Sequence, residues 1–290
     1  MQSSNPIFTR AEGFNGRSAT GNTTYPGSGP QDTPAYGDPS QWGTGTPGTP
    51  GTTQVDQGRM TIDSVVQKTG LSLGLVVLTA AITWFFTPEV TSEAAMGGLY
   101  TIAITGALVG FVLAMVNSFK KVVSPALVLL YAAVEGVFVG AFSKVIEVAF
   151  ATPENQMGGL VAGAVLGTMA AVAGTLAAYK FFNIKVTAKF RMWVIGAMFG
   201  FVALSLLNVL LSFFGKDFGF NGFGTMGLIS SVVGLGLGVL MLILDFDFVE
   251  RGIAAGLPER ESWRAAFGLT VTIVWIYIEM LRILAILRGD

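Results

Sequence analysis

The 290-residue chain has no cysteine and no histidine. These two absences remove thiol chemistry, disulfides, Cys/His metal centres and Ser-His-Asp catalysis. Charge is scarce too: 12% of the residues are Asp, Glu, Lys or Arg, against 52% hydrophobic ones. Soluble domains carry about 25% charged residues. The balance here belongs to a polytopic membrane protein. The formal net charge of −1 gives no nucleic-acid signature. Any proton or cation chemistry is left to carboxylates.

Residues 1–60 are of a different kind. "TGNTTYPGSGPQDTPAYGDPSQWGTGTPGTPGTTQ" is Gly, Pro, Thr and Ser with scattered aromatics, too little apolar surface to order itself. It has no basic start followed by a short apolar run, so it does not read as a signal peptide. The expectation is a disordered cytoplasmic tail, 1–60, ahead of a transmembrane domain, 61–290.

That domain reads as all-α. Apolar runs near 69–87, 97–118, 123–149, 157–180, 191–214, 224–247 and 265–287 alternate with short polar breaks. Each run is long enough to cross a hydrocarbon core of about 30 Å. The basic residues fall on one side of this pattern: Arg10, Arg17, Arg59 and Lys68 before or at the first span, Lys120 and Lys121 in the second break, Lys180, Lys185, Lys189 and Arg191 around the fourth, and Arg251, Arg260 and Arg264 around the sixth. The opposite side has only Lys216 and Arg288. The positive-inside rule then puts the N-terminus in the cytoplasm and the C-terminus outside, as seven spans require. The fourth span places Gly159, Gly163, Gly167 and Ala171 four apart on one face. Such a face lets another helix approach closely.

Within these spans lie charges that hydrocarbon disfavours by several kcal/mol, which makes them functional candidates. Glu135 in "LVLLYAAVEGVFVGAF" stands about 18 Å from the start of its span, near the midplane. Glu279 in "VTIVWIYIEMLRILAIL" lies at similar depth, with Arg282 three residues on. Asp245 and Asp247 come toward the cytoplasmic end of the sixth span, and Lys144 and Glu147 are spaced to pair locally on the third. Two carboxylates held close together do not both ionise cheaply. Such a pair is a natural pH sensor and a hard oxygen site for Ca²⁺.

Three stretches carry a resemblance. "LLYAAVEGVFVGAFS" resembles the Tyr-x-x-x-Glu-Gly-x-x-x-Gly-x-x-Ser pattern of the Bax inhibitor family, the transmembrane Bax inhibitor motif or YccA-like family. "LILDFDFVERG" is similar to its sixth-helix Tyr-Asp element, with Leu244 for the tyrosine. "IYIEMLRILAIL" is similar to its seventh-helix Tyr-Leu-Asp element, with Glu279 for the aspartate. The resemblance covers about residues 60–288. It implies seven helices in which the last is central and wrapped by the other six. For the bacterial branch it implies a pH-sensitive Ca²⁺ leak in the plasma membrane.

By position, the family's paired sensor falls on Asp245 and Glu279, which also makes them the candidate Ca²⁺ ligands. Glu135 joins them on the ion pathway, and Asp247 is the weaker candidate. Family leak members hold their acid pair with a second-helix arginine. No basic residue occurs in "LYTIAITGALVGFVLAMVNSF", so Arg282 is the substitute latch. No cofactor is expected beyond Ca²⁺ as transported ion, and the expected partners are the lipid bilayer and Ca²⁺ or H⁺. The family supplies a rival reading: a regulator or substrate of a membrane-bound ATP-dependent protease, with the tail as handle. An enzyme is not expected. The Gly-x-Gly-Asp signature of intramembrane aspartyl proteases is absent around Glu279, and the last span has no lysine for a retinal Schiff base.

Overall fold

The structure, a computed structural model, describes residues 58–87, 92–150, 159–182 and 184–289. Most of the expected tail lies outside them. Seven helices run through the described residues: α1 (Ile62–Phe86), α2 (Glu93–Phe119), α3 (Pro125–Ala149), α4 (Gly159–Phe181), α5 (Ala188–Ser212), α6 (Thr225–Ala254) and α7 (Glu261–Gly289). No strand occurs among the described residues. All seven helices are long and apolar enough to cross a membrane.

Local chemistry explains where they begin and end. Thr61 caps α1 through a reciprocal box with Ser64. Pro125 opens α3, where its missing N–H costs nothing. α6 runs two turns beyond the expected end at 247. It stops where Gly256 turns left-handed at φ 64° and Leu257 N–H reaches back to the Gly252 carbonyl, the six-to-one bond of a glycine-terminated helix. Asp245 and Asp247 therefore sit inside α6, not at its end.

α7 is the centre. Of its most apolar stretch 61% is buried, against 44% for α3 and α6 and 11% for α1. α1, α3, α4 and α6 pack closely on it, α5 packs on α6 and reaches α7 through Phe201 against Trp275 at 5.6 Å between ring centroids, and α2 rests on α3. Close backbone packing on α7 thus comes, among the described residues, from four helices rather than six. α1 and α3 come closest: a Cβ at Gly136 would collide with the Val76 carbonyl and the Thr79 hydroxyl. The expected glycine face of α4 packs on α7, Gly163 against Leu284 and Gly167 against Met280.

The basic breaks meet at one end. Gly58–Met60, expected in the tail, form a strap on the α6–α7 turn: Met60 N–H donates to Leu257 O and Glu259 N–H to Gly58 O, at 2.8 and 2.6 Å. Lys68 pairs with Glu259 at 2.9 Å. Arg264 donates to the Lys121 carbonyl between α2 and α3 at 2.9 Å.

Candidate intramembrane carboxylate site

α6 and α7 run antiparallel, and the glycines of α6 set their register. Gly234 faces the Glu279 carboxylate, Gly238 faces Ile276, and Asp245 faces Gly268 of α7. From Gly234 to Asp245 is eleven residues, about 16 Å along the helix. Asp245 and Glu279 consequently stand at different depths, and the paired sensor expected from them is not formed. Nor do they make a shared Ca²⁺ site. Antiparallel helices bring residues level only when their distances from the connecting turn match. Asp245 is nine residues before Ala254, where α6 ends, and Glu279 is eighteen after Glu261, where α7 begins. The position on α7 level with Asp245 therefore falls between Gly268 and Thr272, the two residues that face it.

Asp245 is half-buried. Its Oδ2 accepts a hydrogen bond from Thr272 Oγ1 at 2.6 Å. Its Oδ1 lies where a side chain at position 268 would otherwise press. No cation touches it among the described residues. A carboxylate within a span whose sole polar partner is a hydroxyl lacks the cation that Glu279 and Asp247 have.

Glu279, by contrast, meets a cation. Its Oε2 accepts from Arg282 Nη1 at 3.0 Å, and both side chains are buried. The guanidinium also donates to the carbonyls of Phe220 and Gly222, at 3.1 and 3.3 Å. Arg282, expected as a latch across an acid pair, instead joins Glu279 to the α5–α6 turn. The absence of side chains at Gly234 leaves room for the carboxylate, since a Cβ there would come within 2.7 Å of Oε1. Trp275 Nε1 closes the contact by donating to the Gly234 carbonyl at 3.0 Å.

Glu135 belongs to another interface. Tyr131, one turn earlier on α3, hydrogen-bonds its carboxylate. Gly110 of α2 lies against Oε2 and leaves it space. Among the described residues Glu135 touches neither Asp245 nor Glu279. Asp247 is structural: its two oxygens accept from Arg191 of α5 at 2.7 Å and from Arg251 one turn on at 2.9 Å. Lys144 donates to the carbonyls of Trp84 and Thr87 at the end of α1, and Glu147 accepts from Val161 N–H of α4 at 3.2 Å.

The structure also gives the motif residues physical work. Ser143 and Tyr277 hydroxyls meet at 2.7 Å and tie α3 to α7. Thr272 and Ser143 escaped notice as site residues because hydroxyls in a span are common, and nothing in the spacing shows which acid or hydroxyl they face. In a comparison with known families, residues 5–289 match the model of the family described as Bax inhibitor 1 like. The match starts well upstream of the motif-bearing stretch. No curated protein matches the chain.

Proposed function

We propose that this chain, which belongs to the Bax inhibitor 1-like family of multi-pass membrane proteins, is a pH-sensitive cation leak, with Ca²⁺ as the transported ion. One observation carries the reading: Asp245, inside the membrane-spanning α6, accepts from a hydroxyl and, like Glu135 beside Tyr131, meets no cation among the described residues. An acid so placed is expensive unless it serves water, protons or ions. Glu279 acts at a second depth, where its ion pair with Arg282 holds the α5–α6 turn against α7. The leak path then follows the α6–α7 contact between these two levels.

This reading takes the end of the molecule at Lys68, Lys120, Lys121 and Arg264 as cytoplasmic, by the positive-inside rule, and the membrane as the plasma membrane. Flux of Ca²⁺ through purified full-length protein in liposomes, at two pH values, tests it. The protein should release Ca²⁺ at a pH-dependent rate, and Asp245→Asn should release it at a rate that no longer follows pH. No release above protein-free liposomes at either pH rules out the leak and leaves the regulator reading.

A further inference from the structure

α1 and α4 both pack on α7, yet among the described residues they do not touch each other. Between them is a cavity of about 490 Å³, floored by α3 and α7 and open on its outer side. Its size falls in the range of sites for small organic ligands, about 300–1,000 Å³. Leu73 and Phe85 mark its ends on α1, twelve residues apart, which is about 18 Å of length. Val77 and Phe85 on one lip and Val165 and Met169 on the other are exposed. The opening therefore faces the hydrocarbon side of helices that cross the membrane.

Three hydroxyls line this space: Ser143, Thr168 and Tyr277. Each has already committed its proton. Thr168 donates to the Ala164 carbonyl at 2.7 Å and Ser143 to the Val139 carbonyl at 2.6 Å. Ser143 has no second proton, so in their 2.7 Å contact Tyr277 is the donor. A water needs two to four polar partners to stay in a cavity, and this wall offers almost none. The cleft is apolar, elongated and open on its outer side.

We propose that it binds one acyl chain of a bilayer phospholipid. The chain lies along α1 between Leu73 and Phe85 and against the Ser143–Tyr277 contact. The occupied cleft is separate from the carboxylates of α6, and the proposal does not depend on the leak reading.

The test uses full-length protein in palmitoyl-oleoyl phosphatidylcholine vesicles with a trace of the same lipid carrying a diazirine in its acyl chain. After irradiation, labelled peptides are mapped. Labelling should concentrate on the cleft faces of α1 and α4. Ala162→Trp places an indole in the cleft from an exposed position on α4. It should lower that labelling about tenfold, equivalent to about 1.4 kcal/mol of lost affinity. Leu166→Trp, on the outer face of α4 and 71% exposed, should leave it unchanged. Ala81→Phe fills the cleft from α1 and must reproduce the loss, which guards against misfolding of the first variant. Even labelling over all lipid-facing helices, or undiminished cleft labelling in a filled variant with an unchanged thermal midpoint, overturns the proposal.

Discussion

Thr272 of α7 donates its hydroxyl proton to Asp245 of α6 at 2.6 Å, and this is the one polar contact of that carboxylate among the described residues. Two turns further along α7, Glu279 is bonded to Arg282 instead. The same helix pair therefore holds one acid against a neutral donor and one against a cation. Protonating Asp245 breaks no ion pair, whereas protonating Glu279 does.

Thr272→Val removes the donor and keeps the shape. A single hydrogen bond to a charged group contributes about 1.5–3 kcal/mol, so the charged state of Asp245 loses that support. The pH profile of Ca²⁺ release should keep its steepness and move its midpoint, while Asp245→Asn should flatten it. In the Asp245→Asn background, Thr272→Val should have no further effect on the profile. A midpoint that stays in place in Thr272→Val would show that Asp245 is not the titrating group.

Because Asp245 and Glu279 are at different depths with no shared partner, their substitutions should act independently. Sites farther apart than about 7–10 Å usually add to within about 0.5 kcal/mol. Thermal unfolding of Asp245→Asn, Glu279→Gln and the double variant should show additive losses. Strong non-additivity would mean that the two carboxylates meet in a second conformation.

The number of helices was legible because hydropathy and loop chemistry repeat over long windows; the central place of α7 came instead from the family resemblance of its motifs. The extent of α6 was less legible. Hydropathy fades at Asp245, yet the stop signal lies at Gly256 and Pro258, which cap geometry reads and an apolar average does not. The acids themselves were legible from their cost in hydrocarbon, but not their partners. Which residues of α6 and α7 face each other depends on the offset between two helices, and Gly234, Gly238 and Gly268 set it through close contacts invisible along one chain. Asp247 shows the same limit: its cation, Arg191, lies on another helix.

The backbone of α5 packs on α6, with a further ring contact from Phe201 to Trp275 of α7, and Asp247 is its charged anchor. The carboxylate is buried, but its partners Arg191 and Arg251 are 43% and 56% exposed, so solvent weakens both pairs. Asp247→Asn should cost about 1–2 kcal/mol of stability and speed proteolysis between α4 and α5. The pH profile of flux should not change. A flattened profile in this variant would move the sensor from Asp245 to Asp247.

The strap of Gly58–Met60 and the Arg264 contact to Lys121 hold the basic breaks at one end of the molecule. With seven spans, the C-terminal end of α7 is then expected on the other side. An alkaline phosphatase fused after Asp290 should be active in intact bacterial cells, and a fluorescent reporter that folds only in the cytoplasm should stay dark. The reverse pattern would overturn the cytoplasmic assignment of the basic end.

The Glu279–Arg282 pair is buried on both sides, and this makes its removal informative. Breaking a buried pair from one side leaves an uncompensated charge and costs about 3–5 kcal/mol. Arg282→Gln loses the cation as well as the bonds to the Phe220 and Gly222 carbonyls, so the α5–α6 turn is released. Glu279→Gln leaves those two bonds in place but strands the guanidinium. Both single variants should unfold at lower temperature than the parent. Only Arg282→Gln should also raise basal Ca²⁺ release, because only it frees the turn. The double variant should be more stable than the sum of the single losses, since no lone charge remains, and it should still leak as Arg282→Gln does. If basal release rises equally in both single variants, the ion pair rather than the carbonyl contacts closes the outer end. If it rises in neither, the turn is not part of the barrier.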